Sequence, residues 1–204
     1  MGEANSLLMK QYALDYIVSP RTKRNHEENM IYTHDLDHYA VGDHNCLSIP
    51  FDDLLANGFN TRQTDVRPAN SINTAFQLLA VIFQLQSLQQ FGGVSASHLD
   101  WTMVPYVRKS FYKHWLDGLR YICNCDEYDI EKSVKWIKEK HPSIDDEYFI
   151  TPSEVKKYAM DMTEKELKQS VEGMYHNLNT LQSRSGNQLP FTSINYGTCT
   201  LAEG

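Results

Sequence analysis

Nothing in these 204 residues approaches the ~20 consecutive apolar side chains that a membrane-spanning helix requires. The N-terminus also lacks the basic-then-apolar pattern of a secretory signal. These two absences lead us to expect a cytoplasmic protein. Cysteine is scarce, with only Cys46, Cys123, Cys125 and Cys199. Thiols in a reducing compartment do not build a disulfide scaffold. Cys123 and Cys125 have one residue between them, poor metal spacing without a second pair, and read as structural or incidental. Positive charge is short too: 19 Lys and Arg stand against 26 Asp and Glu, a net charge of −7. That balance gives no general attraction to nucleic acid or an anionic membrane, although a local basic site is compatible with it. No internal repeat or low-complexity linker divides the chain, which is long enough for one good core or for part of a larger one.

The groups able to do chemistry are concentrated in residues 31–51. His34, His38 and His44, Asp35, Asp37 and Asp43, and the thiol of Cys46 all fall there. In the run that follows Cys46, Leu47, Ile49 and Phe51 alternate with smaller residues, the period of a strand with one buried face. Three readings are open for this stretch. His34, Asp35, His38 and His44 form a metal cluster of the kind that activates water. Alternatively, Cys46 is the working group and the polar residues shape a pocket beside it. In the third, the histidines and aspartates are turn and cap residues and Cys46 is a small core residue.

Helical periodicity covers 4–18 and ends at Ser19-Pro20, because the residue before proline is disfavoured in a helix. Residues 52–58 form one short helix closed by Gly58, and 59–70 are loop. Ser71 caps a long helix over 72–91 that is apolar nearly all round, hence buried inside a domain or between subunits. A second long helix spans about 96–121, carries Trp101, Tyr106, Phe111, Tyr112 and Trp115, and should kink or split at Pro105. Residues 123–150 are the most charged and least periodic part. Thr151-Pro152-Ser153-Glu154 starts a third long helix reaching about residue 181. After a turn over 183–190, residues 191–196 form a second strand closed by Gly197. Strands at either end with long helices between them suit an α/β layer or barrel with large crossovers. Two strands cannot close a barrel.

Several collinear motifs resemble one family. They are Tyr32-Thr-His-Asp-Leu-Asp-His-Tyr39, Asn45-Cys46-Leu47, Asn57-Gly58-Phe59, Pro68 through Ser71-Ile72-Asn73-Thr74-Ala75, and Gln90-Phe-Gly-Gly-Val-Ser95. The most specific match is the long run from His176 to Thr198. Together they resemble the anaerobic, glycyl-radical (class III) ribonucleoside-triphosphate reductases, over nearly the whole chain except 123–150. The resemblance implies an α/β fold, mostly helical here, that is part of a ten-stranded α/β barrel. Residues 1–204 would be a single segment, the N-terminal part of that catalytic barrel. It implies reduction of ribonucleoside triphosphates to deoxyribonucleotides, with a thiyl radical taking hydrogen from the ribose 3′ carbon and Cys46 supplying reducing hydrogen at the 2′ carbon. It also implies a glycyl radical made by a separate S-adenosylmethionine/iron–sulfur activase, zinc in a C-terminal region, deoxynucleoside triphosphate or ATP effectors, and a homodimer.

By the same resemblance, His34, Asp35, Asn45, Ser193 and Asn195 belong to the substrate pocket. His34 and Asp35 are expected there chiefly to fix the loop before Cys46. Lys113, with Arg67 nearby, would reach an effector at the dimer interface. Cys199, where many relatives carry aspartate, is not read as the thiyl cysteine. The sequence contains no ATP-binding regulatory domain, glycyl-radical loop or zinc cysteine set. We therefore expect no cofactor in this segment and no turnover by it alone. The alternative is a non-catalytic nucleotide-binding or dimerisation module derived from that family.

Overall fold

The computed structural model describes residues 2–42, 44–61, 65–88, 90, 92–180 and 191–197. Helix α1 (Gly2–Tyr12) runs into a π-helical turn, Ala13–Ile17. Helices α2 (Pro20–Glu27) and α3 (Leu36–Tyr39) lead to strand β1 (Leu47–Ile49). After α4 (Phe51–Asn57) comes a small antiparallel ribbon of β2 (Phe59–Asn60) and β3 (Asp65–Val66). Helix α5 (Ile72–Ser87), strand β4 (Val94–Ala96) and helices α6 (Leu99–Tyr121), α7 (Glu127–Lys140) and α8 (Ser153–Thr180) follow, and β5 (Thr192–Ile194) closes the order. Strands β1, β4 and β5 form one parallel sheet with β4 in the centre. The class is α/β and mostly helical, as the sequence indicated.

Helix α5 organises the larger core. Ser71 caps it, its Oγ accepting from Thr74 N at 3.2 Å. Ile72, Ala75, Phe76, Leu79, Ala80, Ile82 and Phe83 form its buried stripe. Phe83 is fully buried and its ring lies 5.1 Å from that of Phe51 on α4, a burial that stabilises by roughly 1.5–3 kcal/mol. The remaining face of α5 is open: Val81, Leu85 and Leu88, at i, i+4 and i+7, are 41%, 39% and 62% exposed. The helix is thus not buried all round, because α4, α6, α8 and the sheet cover it from one side only.

A second core corrects two expectations. Residues 123–150 are not aperiodic. Asp126 caps α7, accepting from Asp129 N at 2.9 Å, and Asp146 caps a 3-10 turn, Glu147–Phe149. Phe149 is fully buried against Phe111 and Trp115 of α6, and Trp136 of α7 stacks on Tyr148 with ring centroids 3.9 Å apart. The charges that masked the helical period are its exposed face, while Ile130, Ser133 and Ile137 supply the buried one. Of the α6 aromatics, Phe111 and Trp115 pack in this second core and Tyr106 in the α5 core, and the outer face of α6 presents Pro105, Lys109 and Lys113.

Four boundaries also differ. Ser19-Pro20 ends one helix but begins another, since Ser19 Oγ caps α2 and proline suits the first helical turn. Helix α6 passes through Pro105 unbroken, its neighbours Met103 and Tyr106 being buried on the packed side while the ring faces out. Helix α6 begins at Leu99 rather than 96, because Val94–Ala96 pairs as the central strand, and α5 ends at Ser87 rather than 91. The expected loop 59–70 contains the β2–β3 ribbon, and the expected turn at 183–190 lies outside the described residues.

Candidate functional site

The parallel register places three rows across the sheet: Leu47–Val94–Thr192, Ser48–Ser95–Ser193 and Ile49–Ala96–Ile194. Val94 and Ala96 are fully buried, and Ile49 and Ile194 pack on the α5 core. Period-two alternation then puts Ser48, Ser95 and Ser193 on the opposite face, together with Cys46 one step before β1. A cleft of about 340 Å³ opens there, lined among others by Cys46, Ser48, Gly93, Ser95, Phe191 and Ser193. Cys46 therefore immediately precedes a strand that shares a sheet with β5, and it shares a cleft with residues 191–193. The expected burial is not found: Cys46 is exposed, and Leu47 and Ile49 are only half-buried, because β1 is an edge strand covered on one face.

The Cys46 sulfur is held from two sides. Gly93 N donates to Sγ at 3.4 Å, and Sγ–H donates to Asn45 Oδ1 at 3.3 Å. Asn45 Nδ2 in turn donates to Asp35 Oδ2 at 2.8 Å, and His34 Nδ1 contacts the same oxygen. His34 and Asp35 thus fix the loop before Cys46 through Asn45. Asp35 takes a left-handed backbone, φ 49°, at the start of α3, a conformation aspartate tolerates better than most side chains. The Gly92-Gly93 turn has a steric reason. A Cβ on Gly92 would lie 2.0 Å from the Asn45 carbonyl oxygen, whereas one on Gly93 would meet nothing closer than 3.6 Å. Gln90 pins the same turn. It is buried, pairs by a backbone bridge with His44, and donates from Nε2 to Gly93 O at 2.7 Å.

His44 meets this arrangement through its backbone bridge to Gln90. His38 lies 3.9 Å from Asp37, whose carboxyl is held below its ordinary range chiefly by the hydroxyl of Ser6 on α1, donating at 2.6 Å. Asp43 lies outside the described residues. Among the described residues no three His, Cys, Asp or Glu side chains converge as a metal would need.

On the last strand, Ser193 lines the cleft, and Asn195 continues the strand, its N donating to Ala96 O at 2.9 Å and its O accepting from Leu99 N at 3.1 Å. Sequence reasoning missed Ser48, Ser95 and Ser97. Ser48 and Ser97 exchange a hydroxyl hydrogen bond at 2.9 Å, and Ser95 Oγ reaches Leu47 O at 3.4 Å. The signal for Ser95 and Ser97 was their alternate spacing after the Gly-Gly turn, legible only once β4 is recognised as a strand.

Lys113 and Arg67 are exposed and stand apart from the cleft lining. Lys109, one turn before Lys113, lies over the Tyr106 ring at 5.0 Å and donates to Ala69 O at 3.2 Å. The basic face of α6 therefore runs beside the loop that carries Arg67. Burial pushes the Cys125 thiol up, as expected of a structural cysteine, while Cys123 is exposed and Cys199 lies outside the described residues.

Among the described residues no helix is long and apolar enough to cross a membrane. A family model described as "Anaerobic ribonucleoside-triphosphate reductase" matches residues 1–204. Curated proteins of that name are similar to this chain: 27% identity over 176 residues in Enterobacteria phage T4, covering 86% of this chain and 24% of the relative. The proteins of Salmonella typhimurium and Escherichia coli are 26% and 25% identical over 195 residues, each covering 95% of this chain and 23% of the relative. The chain thus spans about a quarter of the length of these relatives. With the motifs in family order and the cysteine, the Gly-Gly turn and the last strand meeting at one cleft, the chain belongs to the anaerobic ribonucleoside-triphosphate reductase family.

Proposed function

We propose that this chain supplies the first part of the catalytic barrel of a ribonucleoside-triphosphate reductase, with Cys46 as a reducing thiol. The observation that carries the reading is the meeting of Cys46, the Gly92-Gly93 turn and Ser193 around one cleft on the uncovered face of a parallel sheet. A ten-stranded barrel would continue from edge strands β1 and β5 and enclose that face, shielding radicals from solvent. The glycyl radical of such an enzyme, made by an S-adenosylmethionine/iron–sulfur activase, supplies the hydrogen abstraction at the ribose 3′ carbon through a thiyl radical. In this chain the work is local. The cleft admits the ribose edge, Gly93 N and Asn45 hold the sulfur, and Cys46 delivers one hydrogen atom to the 2′ carbon after the 2′ hydroxyl has taken up a proton and left as water, the second electron and proton coming from the external reductant. The oxidised thiol is then restored by an external reductant.

We assign allosteric control to exposed faces of α5 and α6 that do not line the cleft. The open apolar stripe Val81, Leu85 and Leu88 on α5 supports a two-fold contact, and Lys113, with Lys109 and Arg67 beside it, offers cations to an effector triphosphate. The α6 aromatics Tyr106, Phe111 and Trp115 are internal, so the reading rests on the apolar stripe of α5. This second feature also suits a purely regulatory, nucleotide-binding module.

Two measurements separate the readings. In the reductase containing this segment, Cys46→Ala should abolish deoxynucleotide formation while leaving nucleotide binding intact. Retained reduction would exclude Cys46 as a reductant. Light scattering and thermal melting of the 204-residue protein should show a dimer stabilised by a deoxynucleoside triphosphate, by ~2.7 kcal/mol at one hundred times its dissociation constant. A monomer indifferent to nucleotide and to Lys113→Ala would remove the regulatory part.

A further inference from the structure

We infer that Asn45 and Asp35 are positioning residues for the Cys46 thiol, setting where its hydrogen points, rather than contacts for the nucleotide. The inference rests on the reading of Cys46 as a hydrogen donor, and it follows from what each group can donate or accept.

Ionised Asp35 can only accept hydrogen bonds, so the Asn45 group at 2.8 Å from its Oδ2 must be the amide NH₂. The other end of that amide, Oδ1, can only accept, and it faces Cys46 Sγ at 3.3 Å. The hydrogen between them therefore comes from sulfur. Gly93 N, a donor only, approaches the same sulfur at 3.4 Å and occupies a lone pair. Among the described residues the S–H donates to Asn45 Oδ1. His34 Nδ1, on the same Asp35 oxygen, gives the carboxylate a second donor and holds it toward Asn45. Gly92 closes the arrangement from above: a Cβ there would stand 2.3 Å from Asn45 Oδ1, so only glycine lets the amide keep this place. The contacts from His34 to Gly93 thus converge on the thiol, and of these residues Cys46 and Gly93 line the cleft whereas His34, Asp35 and Asn45 do not. Cys46 itself faces the cleft, and its hydrogen leaves Asn45 only when a better-placed acceptor atom arrives there.

The S–H stretching band in the infrared reports this directly. The Cys46 band is isolated as the difference between the 204-residue protein and its Cys46→Ala variant. It should be a single band at lower wavenumber than a solvent-exposed thiol gives. Asn45→Ala should move it up. Asp35→Ala should split it, because the freed amide turns over, while Asp35→Asn, which still offers an oxygen to Nδ2, should restore one band. Circular dichroism checks that each variant is folded, and the half-buried Asp35 keeps the test usable if Asn45→Ala does not fold. In the reductase, Asn45→Ala should lower kcat about tenfold with KM unchanged. A raised KM at constant kcat would instead make Asn45 a substrate contact. A band indifferent to Asn45→Ala and Asp35→Ala overturns the inference whatever Cys46 does in turnover. A responsive band with Cys46→Ala still active overturns the reductant reading alone.

Discussion

Gly92 and Gly93 are adjacent, belong to one turn, and should respond oppositely to the same substitution. A methyl on Gly92 would stand 2.0 Å from Asn45 O, 2.3 Å from its Oδ1 and 2.4 Å from its carbonyl carbon. Two of these are backbone atoms that no rotamer change can clear. A methyl on Gly93 meets only Phe191 O at 3.6 Å and Phe191 Cβ at 3.9 Å, ordinary contact distances. Neither glycine has a positive φ, so the backbone itself does not forbid alanine. Gly93→Ala should be neutral or stabilising by up to ~1 kcal/mol, through the lost freedom of the unfolded chain. Gly92→Ala must push residues 45–46 away from the turn, at ~3 kcal/mol or more, the upper end of overpacking costs. For a domain of this size that separates the two melting temperatures by roughly 6–12 °C. The second readout is Cys46 itself. Alkylation by iodoacetamide, located by peptide mass spectrometry, should change in rate in Gly92→Ala and not in Gly93→Ala. Equal melting temperatures, or an unchanged Cys46 rate in Gly92→Ala, would falsify the assignment of this turn as the support of the thiol.

Other expectations follow from single contacts. Ser6→Ala should loosen α1 from α3 by ~1 kcal/mol at neutral pH, since it removes the hydroxyl that holds the Asp37 carboxyl down. Because that pKa is depressed on folding, the stabilisation is present above the ordinary carboxylate range near ~4 and lost as pH falls below it. The difference between wild type and Ser6→Ala should therefore vanish on acidification, and urea melts across that range decide it. Gly118→Ala would put a methyl 2.8 Å from Val155 Cγ1, where α6 and α8 cross, and should cost ~1–3 kcal/mol by thermal unfolding. Phe149→Ala should cost ~3–5 kcal/mol and change the near-ultraviolet circular dichroism of Trp115 and Trp136, because its ring lies 5.1 Å and 6.2 Å from theirs. A silent Phe149→Ala would mean that the second core does not order 123–150.

The sequence by itself determined what depends on short-range rules. Ser71 and the 3.6-residue period of α5, the glycine stop after α4, the Pro152-Ser153-Glu154 start of α8 and the alternation after Cys46 are each set by neighbours within a few residues. The collinear motifs likewise identified the family and nominated Cys46. The tertiary structure decided what depends on distant partners. Strand β4 has three residues, too few for a visible period, and is a strand because β1 and β5 pair with it across intervals of about fifty and one hundred residues. Only that register aligns Ser48, Ser95 and Ser193 and brings Gly93 to the sulfur of Cys46. The helix in 123–150 was hidden because its exposed face is charged, and Phe111 and Trp115 of α6 are internal because that segment packs on them. The openness of Cys46 was equally invisible in the residues: alternation says which side chains share a face, and only the packed elements say whether anything covers it.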